Sequence, residues 1–108
     1  MRSDSIAANV AEWTETNKQY TDANAKRAWE HEGILWGVFS IPEEQVGALP
    51  DVNGLDVVEL GCGTAYFGSW LARRGARVTG VDPTPAQLAT ARRMMEETGR
   101  EFPLVEAP

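Results

Sequence analysis

Cysteine and histidine each occur once in the 108 residues, as Cys62 and His31. A single thiol excludes an internal disulfide and any CxxC metal site. A single imidazole excludes a His-rich metal centre, and no nucleophile–base pair with Cys62 is evident. His31 sits in the polar run Glu30-His31-Glu32 and reads as a surface residue. No apolar stretch near Met1 resembles the core of a signal peptide. None elsewhere approaches the ~20 residues of a membrane span. Basic residues are in deficit, 10 against 16 acidic, for a net charge of −6. Non-specific binding to nucleic acid or to an anionic membrane needs a basic face, which this chain is short of. These absences predict a cytoplasmic protein in a reducing setting, with no metal, no nucleic-acid partner and no membrane partner.

What is present fits one globular domain, with 43% hydrophobic and 24% charged residues. Residues 1–53 read as an N-terminal helical lead-in. Ile6, Val10 and Trp13 recur at helical spacing on one face. A second helix is predicted to start at Thr21-Asp22, with Ala25, Ala28 and Trp29 sharing a face. Trp13, Trp29, Trp36 and Trp70 fit helix faces and read as core or interface residues, with one of them lining an acceptor pocket as the alternative. The run from Ile34 to Phe39 is too short and too broken by Gly37 to assign. Ser40-Ile41-Pro42-Glu43 reads as a helix start, with Ser40 capping and Glu43 reaching back. That helix is expected to end by Leu49-Pro50, and Asp51 to Gly54 is turn chemistry.

The pattern changes over residues 54–108. Val57-Val58-Glu59-Leu60 is a short apolar run, predicted to be a strand buried on both faces. Gly61-Cys62-Gly63-Thr64 follows at once. Phe67, Trp70 and Leu71 then mark a helix that Gly75 stops. Arg77 to Val81 reads as a second strand, ending in Asp82. Thr84-Pro85-Ala86-Gln87 reads as a capping box with proline at the first helical position. Leu88, Ala91 and Met95 form that helix's apolar face, and Gly99 ends it. Phe102 to Val105 reads as a third strand. The result is βαβαβ, and right-handed crossovers predict a parallel sheet in the order 3-2-1. The lead-in and this unit are expected to pack together.

A parallel strand that ends in glycines before a helix makes a nucleotide or anion site for physical reasons. Glycine permits positive φ and a close backbone approach, and the helix start offers unpaired N–H groups. An acid at the end of the neighbouring strand can accept ribose hydroxyls. Asp82 lies 21 residues after Gly61, near the spacing of about 20 expected for such an acid. The dinucleotide fingerprint would need glycine at 66, where Tyr66 stands. The Gly63 to Ser69 stretch lacks the lysine of a P-loop. Glu59, just before the glycines, would repel a pyrophosphate but suits a ligand with an ammonium and a sulfonium. The bland alternatives are that Gly61 and Gly63 only turn the chain and that Cys62 is a small buried filler.

Val58-Glu59-Leu60-Gly61-Cys62-Gly63-Thr64-Ala65 resembles the first motif of class I S-adenosylmethionine-dependent methyltransferases. Val78-Thr79-Gly80-Val81-Asp82 resembles that family's second strand with its ribose-binding acid. The resemblance covers residues 54–106, and Ala65 replaces the last glycine of the motif, a change expected to cost little unless φ is positive there. The segment Trp36 to Glu43 is similar to the lead-in of some bacterial small-molecule methyltransferases. The resemblance implies a Rossmann-like three-layer α/β fold and a cofactor site of Glu59, Gly61, Cys62, Gly63, Asp82 and Pro83. Gly61 and Gly63 would approach the cofactor's methionine part, and Glu59 its ammonium. Asp82 would hold the ribose and Pro83 the adenine edge. Tyr20 would close over the methionine end. No catalytic base is identified.

The family fold resembles a seven-stranded sheet, and this sequence accounts for three strands. The chain is therefore expected to be the first half of such a domain, with the first strand's edge open where a fourth would lie. The expected function is methyl transfer from S-adenosylmethionine to a small-molecule acceptor in the complete protein. The alternative is a non-catalytic cofactor-binding or interaction fragment that forms a homodimer through its open sheet edge.

Overall fold

The computed structural model describes residues 22–108. The helix predicted over Ile6, Val10 and Trp13, with Tyr20 and Thr21, lies outside the described residues. Helix α1 occupies residues 22–30. Strands β1 (Leu35–Trp36) and β2 (Ile41–Pro42) and helix α2 (Glu43–Val46) follow. Then come β3 (Asp56–Leu60), α3 (Tyr66–Arg73), β4 (Arg77–Asp82), α4 (Pro85–Thr98) and β5 (Leu104–Glu106).

The lead-in is not purely helical. β1 and β2 pair antiparallel, Leu35 opposite Pro42 and Trp36 opposite Ile41. In the turn between them, Gly37 and Ser40 take φ of 68° and 50°, and the Ser40 amide donates to the Gly37 carbonyl at 3.2 Å. Ser40 therefore closes a hairpin and does not cap α2, since a cap residue needs extended backbone. Pro42 holds that position. The Glu43 carboxylate turns to the hairpin and the following loop, accepting from the Trp36 indole and, at 2.9 Å, from the Leu49 amide. α2 ends at Gly47, φ 64°, before Leu49-Pro50.

α1 docks as the apolar spacing predicts, with Trp29 and Ala25 buried. They join Leu88, Ala91, Met94 and Met95 of α4 in one core cluster. The last carbonyls of a helix have no partner within it, and three side chains from the rest of the fold meet those of α1. The Trp70 indole donates to the Ala28 carbonyl at 2.7 Å. Arg73 and Arg100 donate to the Trp29 carbonyl at 3.2 and 2.8 Å. Cationic groups also suit the negative end of a helix. Lead-in and βαβαβ unit thus share a core.

β3, β4 and β5 form one parallel sheet with β4 in the middle, Glu59 opposite Gly80 and Gly80 opposite Leu104. β3 is not buried on both faces. Val57 and Glu59 are half-buried, whereas Val58 and Leu60 are 62% and 79% exposed. The reason is topological. Two right-handed crossovers that march the same way across a sheet leave both helices on one side. α3 and α4 cover the face of Val57, Glu59, Val78, Gly80 and Asp82, and no described element covers the opposite face.

Candidate functional site

The elbow between β3 and α3 alternates its backbone handedness. Gly61, Gly63 and Ala65 have φ of 70°, 57° and 63°. A Cβ added at Gly61 or Gly63 would meet nothing within 4 Å. Glycine is needed at both for its positive φ, and among the described residues the space beside both is free. Ala65 does what its small size does not excuse: a non-glycine residue in the left-handed region costs about 1–2 kcal/mol. Its fully buried methyl returns about 0.8 kcal/mol. The elbow therefore carries net strain that neighbours must hold.

Those neighbours are identifiable. The Gly61 and Cys62 amides both donate to the Val81 carbonyl, at 2.7 and 2.9 Å. The Ala65 amide donates to the Cys62 carbonyl at 2.8 Å, and the Ser69 amide returns to the Ala65 carbonyl at 3.0 Å. The Trp29 indole donates to the Thr64 carbonyl at 2.8 Å. The apolar spacing placed Trp29 in the core or an interface and did not link it to the elbow. No local pattern could have revealed a bond between residues 35 positions apart.

Asp82 stands at the C-terminal end of β4 and is buried. Its two oxygens accept the Gly63 amide at 2.9 Å and the Thr84 amide at 2.8 Å. The Gly63 amide, aided by the Thr84 amide and hydroxyl against the cost of burial, holds its carboxyl below the usual carboxylate range. Asp82 is thus a strut between the elbow and the start of α4. A carboxylate has further acceptor capacity beyond these two bonds. The predicted capping box at Thr84 does not form. Thr84 is the N-cap without a side-chain capping bond to the helix, and the buried Gln87 Oε1 has no partner among the described residues. The Asp82 carboxylate meets the Thr84 amide from outside the helix and makes the box unnecessary.

Glu59 shares the helix-covered face with Asp82. Its Oε1 is buried without a hydrogen-bond partner among the described residues. It lies 3.3 Å from where a Cβ on Gly68 would be, against the first turn of α3. Burial pushes its carboxyl up to about 7, and the Gly68 amide offsets only part of that. Cys62 points under the elbow, its Sγ 2.9 Å from where a Cβ on Gly80 would be. Burial first, then Glu59 and Asp82, raise its thiol to about 11. At neutral pH it is a protonated filler and not a nucleophile. Only the backbone of Cys62 belongs to the elbow's outer surface.

Pro83 is exposed beside Asp82. His31 is exposed, and its Nδ1 lies 3.1 Å from the Gly33 amide in a local turn. Among the described residues no group of three His, Cys, Asp or Glu is placed to hold a metal ion. Among the described residues no helix is long and apolar enough to cross a membrane. The structure thus gathers Glu59, Gly61, Cys62, Gly63, Asp82 and Pro83 at the C-terminal ends of β3 and β4. Two carboxylates lie beside that elbow, Asp82 bonded to the Gly63 amide and Glu59 buried against Gly68.

Residues 57–108 match the family described as "Methyltransferase domain". The chain is similar to the ubiquinone biosynthesis O-methyltransferase of Methylocella silvestris, with 39% identity over 62 residues. That alignment covers 57% of this chain and 24% of the relative. The protein of the same name from Stutzerimonas stutzeri is 32% identical over 84 residues, 75% of this chain and 36% of the relative. The chain therefore spans 24% to 36% of these curated relatives' length. A solved structure described as "Conversion of a Disulfide Bond into a Thioacetal Group during Echinomycin Biosynthesis" aligns with a TM-score of 0.47 at 30% identity. It covers 58% of this chain and 26% of that one.

Proposed function

We propose that this chain, which belongs to a methyltransferase-domain family through residues 57–108, binds S-adenosylmethionine at the elbow and serves methyl transfer to a small-molecule acceptor. The observation that carries the reading is the space beside Gly61 and Gly63, with the Asp82 carboxylate bonded to the Gly63 amide and Glu59 on the strand that leads into the elbow. A diphosphate would meet the ionised Asp82 and gain nothing from Glu59, whereas a sulfonium nucleoside with an ammonium group would draw Glu59 into its ionised form beside Asp82. The relatives' names support O-methylation as the class of reaction.

When bound, the cofactor supplies an electrophilic methyl group on sulfur. The chain's own residues bind and orient. Gly61 and Gly63 let the backbone approach the methionine part, and Glu59 accounts for its ammonium. A nearby cation favours the ionised form of that carboxylate. Asp82, already fixed by two amides, presents its remaining lone pairs to the ribose diol, and Pro83 borders the adenine. Rate enhancement in such a site comes from holding donor and acceptor in line.

The test compares S-adenosylhomocysteine with its 2′-deoxy analogue by calorimetry. The native protein should bind the ribose form more tightly, and Asp82→Ala should weaken that binding by about tenfold or more. The variant should also lose most of the preference for the 2′-hydroxyl. A variant that weakens both ligands equally makes Asp82 a strut only and overturns the ribose contact. One observation favours a second reading, a non-catalytic module that dimerises: β3 is an edge strand whose outer face bears the exposed Val58 and Leu60.

A further inference from the structure

We propose that Trp29 is a positioning residue for the elbow, locking the peptide plane between Thr64 and Ala65. The proposal rests on the cofactor reading of that elbow and extends it to α1. The Trp29 ring is fully buried. It stacks on Phe102 with centroids 5.9 Å apart and planes 3° from parallel. The Arg100 guanidinium lies 5.8 Å from its centroid while also donating to the Trp29 carbonyl. Held this way, the indole N–H reaches the Thr64 carbonyl at 2.8 Å.

Thr64 lies between two left-handed residues, Gly63 and Ala65. Rotating the peptide plane between Thr64 and Ala65 by half a turn would bring the φ of Ala65 to an ordinary negative value. That flip is the direct route for the strained alanine to relax. It would also break the Ala65 amide's bond to the Cys62 carbonyl and turn a carbonyl where an N–H now points. The indole opposes the flip, because the flip would leave a buried donor without its acceptor. The motif glycine of the family would need no such lock. The departure at Ala65 and the bond from α1 therefore belong together: alanine is tolerated where a distant tryptophan holds the preceding carbonyl.

Two variants isolate the bond. Trp29→Phe keeps an aromatic ring against Phe102 and removes the donor. A benzothienyl side chain at position 29 replaces the N–H by sulfur at nearly constant shape and serves if Trp29→Phe does not fold. Either should weaken S-adenosylhomocysteine binding by about tenfold and speed hydrogen exchange at the Ala65 amide. Adding Ala65→Gly should restore most of the affinity, since glycine has no strain to release. Val52→Ala, a core truncation in the other cluster, should leave affinity unchanged. The proposal is overturned if the donor-less variants keep native exchange at Ala65. It is also overturned if Val52→Ala weakens binding equally, or if Ala65→Gly rescues nothing. Should the native protein bind no S-adenosylhomocysteine, the cofactor reading fails, and exchange at Ala65 still decides whether the lock exists.

Discussion

Glu59 shows how burial converts one side chain into a pH-dependent load on the fold. Its carboxyl titrates near 7 in the folded protein because it is desolvated, against about 4.3 for a free glutamate. Between those values the folded state holds a proton that the unfolded chain has lost. Stability contributed by this group therefore falls as pH rises, and the loss is complete above about 7. Glu59→Gln cannot ionise and removes that slope. Thermal denaturation should show the Gln variant gaining on the native protein from pH 5 to pH 8. Parallel profiles would mean that Glu59 is not desolvated as the structure has it. The identity of Glu59 and Asp82 as the two acids near the glycines was legible from spacing alone. That Asp82 is spent on two backbone amides was not, because those amides come from the elbow and from the start of α4.

The elements were legible where a local signal ends them. Gly75 and Gly99 stop α3 and α4 at φ of 88° and 74°, and proline opens α4 as expected. The hairpin of β1 and β2 was missed because two-residue strands have no periodicity to read. α3 contains a further reversal of a local rule. Glycine inside a helix ordinarily costs about 0.5–1 kcal/mol relative to alanine, so Gly68→Ala would be expected to stabilise. In this fold the new Cβ would lie 3.0 Å from Val78 Cγ1 and 3.3 Å from both Glu59 Oε1 and the Phe102 ring. Overpacking of that kind costs about 1–3 kcal/mol and outweighs the helical gain. Gly68→Ala should lower the urea midpoint, and a higher midpoint would show that α3 can lift off the sheet.

At the scale of the molecule, one sheet face is packed and the other presents Val58, Leu60 and Val105 to solvent. Parallel sheets are ordinarily covered on both faces, so under the dimer reading this is the surface a second copy would cover. Leu60→Lys tests the difference. A change at a residue 79% exposed should shift the stability of a monomer by no more than about 0.5 kcal/mol. If the protein dimerises through this face, sedimentation should show a concentration-dependent dimer that Leu60→Lys abolishes. Methyl transfer by a monomer whose sedimentation the substitution leaves unchanged would remove the dimer reading.

Strand, glycine elbow, helix and the acid after the second strand are all encoded within a few residues of each other. Turn chemistry and short-range spacing act locally, which is why residues alone determined the βαβαβ order and the place of the glycine elbow in it. Tertiary structure decided which face of β3 is bare, since exposure depends on where both crossovers fall. It also decided that Ala65 is left-handed and that Trp29 holds the carbonyl before it. Those outcomes depend on contacts between residues far apart in the chain, and such contacts exist only once the helices have docked on the sheet.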